Sequence, residues 1–290
     1  MSTSPPLLAA PTFVTVRGKR YAQYDGGGSG EVVLLLHGWP DDATIWRHQF
    51  VSLGEVGYRP VALDWIGHGS SEKIKDVSCY TRRELGLDLV ELIDRLGGRV
   101  HLVAHDYGAV VAWQFASDFP DRLVSFQALS IGHPAAILRY PSLSGFLKNW
   151  FLIYNALPFA VAGYRAFDAA FFRWAMRHHP DRDHVVARFM EELDPFYIRV
   201  WERANPLSDF ISQYQFAPWS GIPKVAVPTQ GLWGTRDEYA TRIQMEKSAR
   251  LINGDWNFTA LPDLGHWSML QDPARVTEQL LAWTEAYPTR

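Results

Sequence analysis

The sequence is poor in the features that build a disulfide scaffold, a thiolate metal centre or a nucleic-acid interface. Among 290 residues Cys79 is the only cysteine, so neither an intrachain disulfide nor a cluster of thiolate ligands can form. Basic residues are scattered among acidic ones at a net charge of −3, and the positive stripe that tracks a phosphate backbone is missing. Nucleic acid is therefore not an expected partner. Long apolar runs are missing too: the greasiest stretch, 150–162, is broken by Asn155 and Pro158 and is too short to span a bilayer. The opening residues lack the basic and long apolar regions of a secretory signal. These absences predict a cytoplasmic protein without stable membrane insertion; a monomer or homodimer is the expected assembly. Glycines 26, 27, 28 and 30 have no following lysine, which argues against a phosphate-binding loop. Repeats and low-complexity tracts are also lacking.

What is present is an ordinary globular balance, 47% hydrophobic and 20% charged, enough to bury a full core. Residues 12–16 and 20–24 read as a hairpin around Gly18-Lys19. Apolar strands follow at 32–36, 60–63, 102–104 and 123–129, alternating with helical patterns. The second of these, 80–96, places Leu85, Leu89, Leu92, Ile93 and Leu96 on one face. That alternation predicts a mostly parallel sheet with helices on both faces. From 134 to 223 the rhythm gives way to aromatic-rich, helix-like runs. The α/β rhythm resumes with a strand at 225–233, a helix at 239–251 and a strand at 256–261. The expected organisation is thus a core of 1–133 and 224–290 carrying a helical cap at 134–223.

The stretch V-H-L-V-A-H-D-Y-G-A-V-V at 100–111 organises the rest. A buried strand turns sharply into an apolar helix with Asp106 at the apex, the layout of a nucleophile elbow. The pattern G-x-S-x-G itself occurs nowhere; here Ala104 and Asp106 replace its first glycine and its serine. A carboxylate opening a helix also serves as an N-cap, so the elbow needs partners elsewhere. Trp39, Asp106, Asp237 and His266 each follow a predicted strand, and ligands of open α/β sheets bind outside the carboxyl ends of strands. Asp106, Asp237 and His266 also fall in the chain order nucleophile, acid, histidine. Glu238 is a competing acid, and Asp237 could instead cap the next helix. His37, His68 and His105 are expected to shape loops, and His178, His179 and His184 to lie on the surface.

From His37 onward the chain resembles α/β-hydrolases of the epoxide hydrolase and haloalkane dehalogenase group. The matching motifs are H-G-W-P at 37–40, D-W-I-G-H-G-S-S at 64–71, H-D-Y-G at 105–108, W-G-T-R-D at 233–237 and G-H-W at 265–267. The resemblance implies the α/β-hydrolase fold with an inserted cap, no cofactor and no metal. It implies an ionised Asp106 that attacks saturated carbon, leaving an alkyl ester. His266, oriented by Asp237, would activate the water that hydrolyses the ester. The backbone N–H groups of Trp39 and Tyr107 would form the oxyanion hole. Two cap tyrosines assist epoxide opening in the epoxide hydrolases; Tyr214 matches one position, while the other falls near Phe151 with Tyr154 one turn later. Tyr154, Tyr214, Phe151 and Trp39 are thus the expected substrate contacts, for a small hydrophobic organic substrate. The alternatives are a haloalkane dehalogenase, whose signature tryptophan after the nucleophile is replaced here by Tyr107, and a non-catalytic ligand-binding module.

Overall fold

The computed structural model describes residues 10–148, 150–191 and 195–289. Its eight strands are β1 (Thr12–Val16), β2 (Lys19–Asp25), β3 (Val32–Leu36), β4 (Arg59–Leu63), β5 (Val100–His105), β6 (Leu123–Leu129), β7 (Thr229–Gly234) and β8 (Trp256–Leu261). They form one sheet in the order β1-β2-β4-β3-β5-β6-β7-β8. The β1–β2 hairpin is antiparallel and joins β4 antiparallel. Every other pairing is parallel. This is the α/β-hydrolase fold. β3, β5 and β6 are buried at every residue, which is why they read as unbroken apolar runs, whereas the edge strand β1 is largely exposed.

The helices that follow the sheet strands are α1 (Arg47–Glu55), α2 (Arg82–Arg95) and α3 (Tyr107–Asp118). α2 packs on α3, while α1 packs on the last helix, Pro273–Ala286, giving the sheet a helical layer on each side. α2 starts two residues later than the sequence pattern suggests because Thr81 stays extended and caps it, accepting from the Glu84 N–H. β7 likewise begins at Thr229 rather than 225: Pro228 has no N–H for the ladder, and Val225 makes only a single bridge to Ile252.

From Pro134 to Gly221 every described element is helical. This insertion is tied to the loop after β3 by ion pairs. Arg47 holds Asp181 through two nitrogens at 2.7 and 3.1 Å, and Arg188 binds both Asp42 and the Pro40 carbonyl. No helix among the described residues is long and apolar enough to cross a membrane.

Candidate active site

Asp106 sits at the junction of β5 and α3 with φ 49° and ψ −122°, a region that L-residues with side chains rarely occupy. Two glycines leave room for that turn. A Cβ on Gly38 would collide with the Asp106 side chain, and one on Gly108 with the His37 carbonyl. Although Asp106 occupies the N-cap position, its carboxylate makes no capping bond. Oδ1 instead accepts from the Trp39 N–H at 2.9 Å, and Oδ2 lies 3.4 Å from His266 Nε2. The Tyr107 N–H is the first of α3 and has no acceptor within the helix, so it too is available beside the carboxylate.

The turn after β8 carries His266, and the turn after β7 carries Asp237. His266 Nδ1 is 3.2 Å from both Asp237 oxygens. Asp237 Oδ1 also accepts from the N–H groups of Tyr239 and Ala240, at 2.8 and 2.9 Å. The carboxylate therefore does both things the sequence allowed, closing its own turn and facing the histidine. Glu238 points elsewhere, with Oε1 3.4 Å from His178. The His266 carbonyl accepts from Ser130 Oγ at 2.9 Å and from His105 Nε2 at 3.0 Å, which anchors the loop from beneath.

The electrostatics follow from this sandwich. Burial opposes charge on His266, but the charge of Asp237 and the hydrogen bonds and charge of Asp106 outweigh it and raise the imidazole to about 10. Burial likewise works against charge on Asp106, yet the His266 hydrogen bond and charge, with the Trp39 N–H, hold the carboxyl below its ordinary value. Asp237 is held low against burial in the same way by the His266 charge and hydrogen bond, together with its backbone donors. The imidazole and the two carboxylates thus favour one another's charged forms.

Above them is a cavity of about 490 Å³ whose walls include Asp106, His266, Trp39, Tyr107 and Phe151. Tyr154 and Tyr214 are not among its walls. The Tyr154 hydroxyl donates to the Ala160 carbonyl at 3.1 Å, and Tyr214 packs in a separate cluster with Ala135, Ile222 and Leu251. The tyrosines that do reach the cavity are Tyr107, Tyr164 and Tyr239.

Among the wall residues that the sequence did not single out is an acid, Glu202, in the short helix Val200–Ala204. Its Oε1 accepts from Asn155 Nδ2 at 2.7 Å, and Asn155 Oδ1 accepts from the Tyr164 hydroxyl at 2.9 Å. The available signal was Asn155 itself, a buried amide interrupting an apolar run and needing a polar partner.

Two histidine expectations divide. His37 has a fixed neutral form, donating from Nδ1 to the Gly38 carbonyl at 2.8 Å and accepting the Trp65 N–H on Nε2 at 3.1 Å, which fits a loop-shaping role. His179, expected at the surface, is buried: its Nε2 meets Asp41 Oδ1 at 3.0 Å, while Nδ1 accepts the Asp181 N–H. The correction has a physical cause. Asp41 is buried and also accepts from Trp267 Nε1 at 2.9 Å, so a second donor from the insertion is needed to hold its charge.

Residues 33–279 match the Alpha/beta hydrolase family. Among curated proteins, the chain is 28% identical to Epoxide hydrolase A of Mycobacterium tuberculosis, covering 94% of this chain and 97% of that one. It is 41% identical to Epoxide hydrolase 3 of Siraitia grosvenorii over 120 residues, 41% of this chain and 38% of the relative. A crystal structure of the Bacillus megaterium epoxide hydrolase with an inhibitor superposes with a TM-score of 0.82 at 21% identity, over 94% of this chain and 99% of that one. Epoxide Hydrolase A from Mycobacterium thermoresistibile gives 0.78, also at 21% identity, over 97% and 99%. The two structures speak for the fold. Because the family match runs from β3 into the last helix, the chain belongs to the alpha/beta hydrolase family.

Proposed function

We propose that this protein is an epoxide hydrolase-like enzyme that opens small hydrophobic epoxides to vicinal diols through a covalent ester on Asp106. The observation that carries the reading is the split coordination of one strained carboxylate: Oδ1 on the Trp39 N–H and Oδ2 toward His266 and the cavity. An oxygen already on a backbone donor is placed to become the oxyanion of ester hydrolysis, with the Tyr107 N–H as second donor. The other oxygen is left to attack carbon. Similarity to curated proteins named epoxide hydrolase supports the same reaction class. Residues 134–223 act as the cap that closes the cavity, on a core of 1–133 and 224–290.

The two half-reactions switch the histidine. At rest the Asp106 charge helps keep His266 protonated. Once Asp106 is a neutral ester, that charge and its hydrogen bond are gone, so His266 gives up its proton more readily and can act as the base toward water. Asp237 keeps the ring oriented throughout and stabilises the imidazolium that forms when water is deprotonated. Neither half-reaction calls on a cofactor.

Halide displacement is the second reading. Trp201 lines the cavity and its buried Nε1 has no hydrogen-bond partner among the described residues, which leaves one indole N–H uncommitted there. Intact-protein mass spectrometry of His266→Gln separates the two. Styrene oxide should add its whole mass, and the adduct should vanish when Asp106→Asn is introduced. A bromoalkane adding only its alkyl group, with no adduct from epoxides, would replace the epoxide reading with dehalogenation.

A further inference from the structure

Opening an epoxide leaves a strongly basic alkoxide that needs a proton. The cavity's tyrosines are poorly placed to transfer one. The Tyr164 hydroxyl is committed to Asn155, and the Tyr239 hydroxyl to the Ala175 carbonyl. Tyr107 accepts from Asn205 Nδ2, and burial pushes its phenol far above the neutral range. We propose that Glu202 is the general acid, giving the proton on Oε2 to the epoxide oxygen as Asp106 opens the ring. This assignment rests on the epoxide reading above and identifies the acid that reading requires.

Three features of the geometry support it. Helix Val200–Ala204 touches the elbow directly: Trp201 stacks on Tyr107 at 4.0 Å between ring centroids and 13° between planes, one residue from Asp106. Glu202, next along that helix, lines the same cavity as Asp106. Its two oxygens are also unlike. Oε1 is held by Asn155, itself positioned by Tyr164, whereas Oε2 is buried with no hydrogen-bond partner among the described residues. A buried carboxyl with a donor on one oxygen and nothing on the other is arranged to carry its proton on the free one.

The surroundings favour the protonated form. Burial is the main cause, the Asn155 hydrogen bond, Glu202's own backbone N–H and the Arg199 charge oppose it, the Asp106 charge adds to it, and the carboxyl is raised to about 7. Tyr107 and Tyr164 are the neighbouring hydroxyls that sense its charge.

The protons balance over the cycle. Asp106 Oδ2 forms a bond to an epoxide carbon, the ring C–O bond breaks, and its electron pair takes the Glu202 proton. His266, no longer facing an anionic Asp106, releases its proton through solvent to the Glu202 carboxylate. Neutral His266 then deprotonates water, and the hydroxide adds to the ester carbonyl carbon. The tetrahedral intermediate collapses with its hydroxyl proton leaving on the diol oxygen. Asp106 ends ionised, with His266 and Glu202 again protonated, and the net reaction is epoxide plus water to diol.

The test compares kcat/KM, which includes ring opening, for 1,2-epoxypropane and its 3,3,3-trifluoro analogue between pH 5.5 and 9. For wild type on 1,2-epoxypropane, activity should fall as pH rises above about 7, where Glu202 loses its proton. Glu202→Gln keeps the size and cannot give up a proton. It should lower the pH 6 value about a hundredfold and abolish the falling limb, within the range general acid catalysis supplies. The loss should be smaller for the trifluoro epoxide, whose alkoxide is less basic. Glu202→Asp should keep the falling limb at reduced rate. A merely structural role would depress both epoxides equally and leave the wild-type pH limb in place, and that result overturns the assignment. Because folded Glu202 binds its proton more tightly than an unfolded glutamate, its contribution to stability declines as pH rises toward 7. Glu202→Gln should thus melt no lower than wild type at pH 8. In the His266→Gln background, equal rates of epoxide adduct formation with and without Glu202→Gln overturn this assignment alone. No adduct with any epoxide overturns the epoxide reading and this assignment with it.

Discussion

The floor and the roof of the cavity are built on opposite principles. The floor is the carboxyl edge of the sheet, where Asp106, His266 and Asp237 face one another at 3.2 to 3.4 Å and favour one another's charged forms. Each member rises from a strand or strand turn whose register is fixed by parallel ladders on both sides or by the neighbouring ladder. The roof is made of short helices, and the acid that lines the cavity from it, Glu202, is held through a neutral chain of Asn155 and Tyr164. Charge that must be present before the reaction sits on the rigid side. The group that must be neutral sits where burial dominates and cationic partners are few. On the proposed reading, nucleophile and acid are thereby favoured in opposite protonation states in one cavity, the division of labour that two carboxyl groups need.

Substitutions on the floor should show the larger effects. Asp237→Asn removes the largest influence raising His266 and leaves its Nδ1 without an anionic partner. Ester formation on Asp106 should persist, while turnover falls by about ten thousandfold, the scale seen when the orienting acid of such a relay is neutralised. The pH dependence of ester hydrolysis should move to lower pH, because the imidazole no longer has that charge beside it. Rapid quench followed by mass spectrometry reads this directly: ester must accumulate. If ester formation is lost and hydrolysis spared, Asp237 serves the first half-reaction and the relay is wrongly ordered.

Gly38→Ala tests the turn that brings the Trp39 N–H to Asp106. The new methyl would meet the Asp106 side chain, so either the Trp39 turn or the carboxylate must move. Turnover should fall by roughly a hundred- to a thousandfold, the loss expected for one oxyanion donor. Circular dichroism should show the fold retained. Activity within a factor of two of wild type would mean that the 2.9 Å contact is not part of the machinery.

The same contrast governs what could be read from the sequence. The floor was legible because Asp106, Asp237 and His266 each lie at or soon after the end of a strand, most clearly where Leu102, Val103 and Ala104 precede His105 and Asp106. Sheet geometry then brings residues 106, 237 and 266 together whatever their separation in sequence. The roof has no such rule. Residues 155, 164 and 202 come from three helices whose crossing is set by packing alone, and the intervals between them carry no period. The distinction between Asp237 and Glu238 was equally invisible, since both follow the same strand and only the turn geometry decides which faces His266. His179 was misplaced for a related reason: the carboxylate that buries it, Asp41, lies 138 residues earlier.

The smallest effects should come from the two tyrosines that the resemblance singled out, and here the floor-and-roof contrast can be broken most cheaply. Tyr154 gives its hydroxyl to Ala160 within the insertion, and Tyr214 stands beside His133, with ring centroids 5.7 Å apart, in a cluster that meets the cavity only through wall residues such as Leu138 and Phe210. Tyr154→Phe removes a half-exposed hydrogen bond, for which the net stability cost is about 1 kcal/mol, and Tyr214→Phe keeps the ring packing intact. Neither change touches Glu202 or its Asn155 support, so kcat/KM on 1,2-epoxypropane should stay within about threefold of wild type for each, and for the pair. A loss of a hundredfold in either variant, with melting temperature preserved, would put a phenol in contact with the opening epoxide. It would also require the roof to close over the substrate in an arrangement different from the one described, because neither tyrosine lines the cavity there. Measured beside Glu202→Gln, the two outcomes are mutually exclusive: the proton comes from a carboxyl on the helix that stacks against the elbow, or from a phenol that must first leave its present partner.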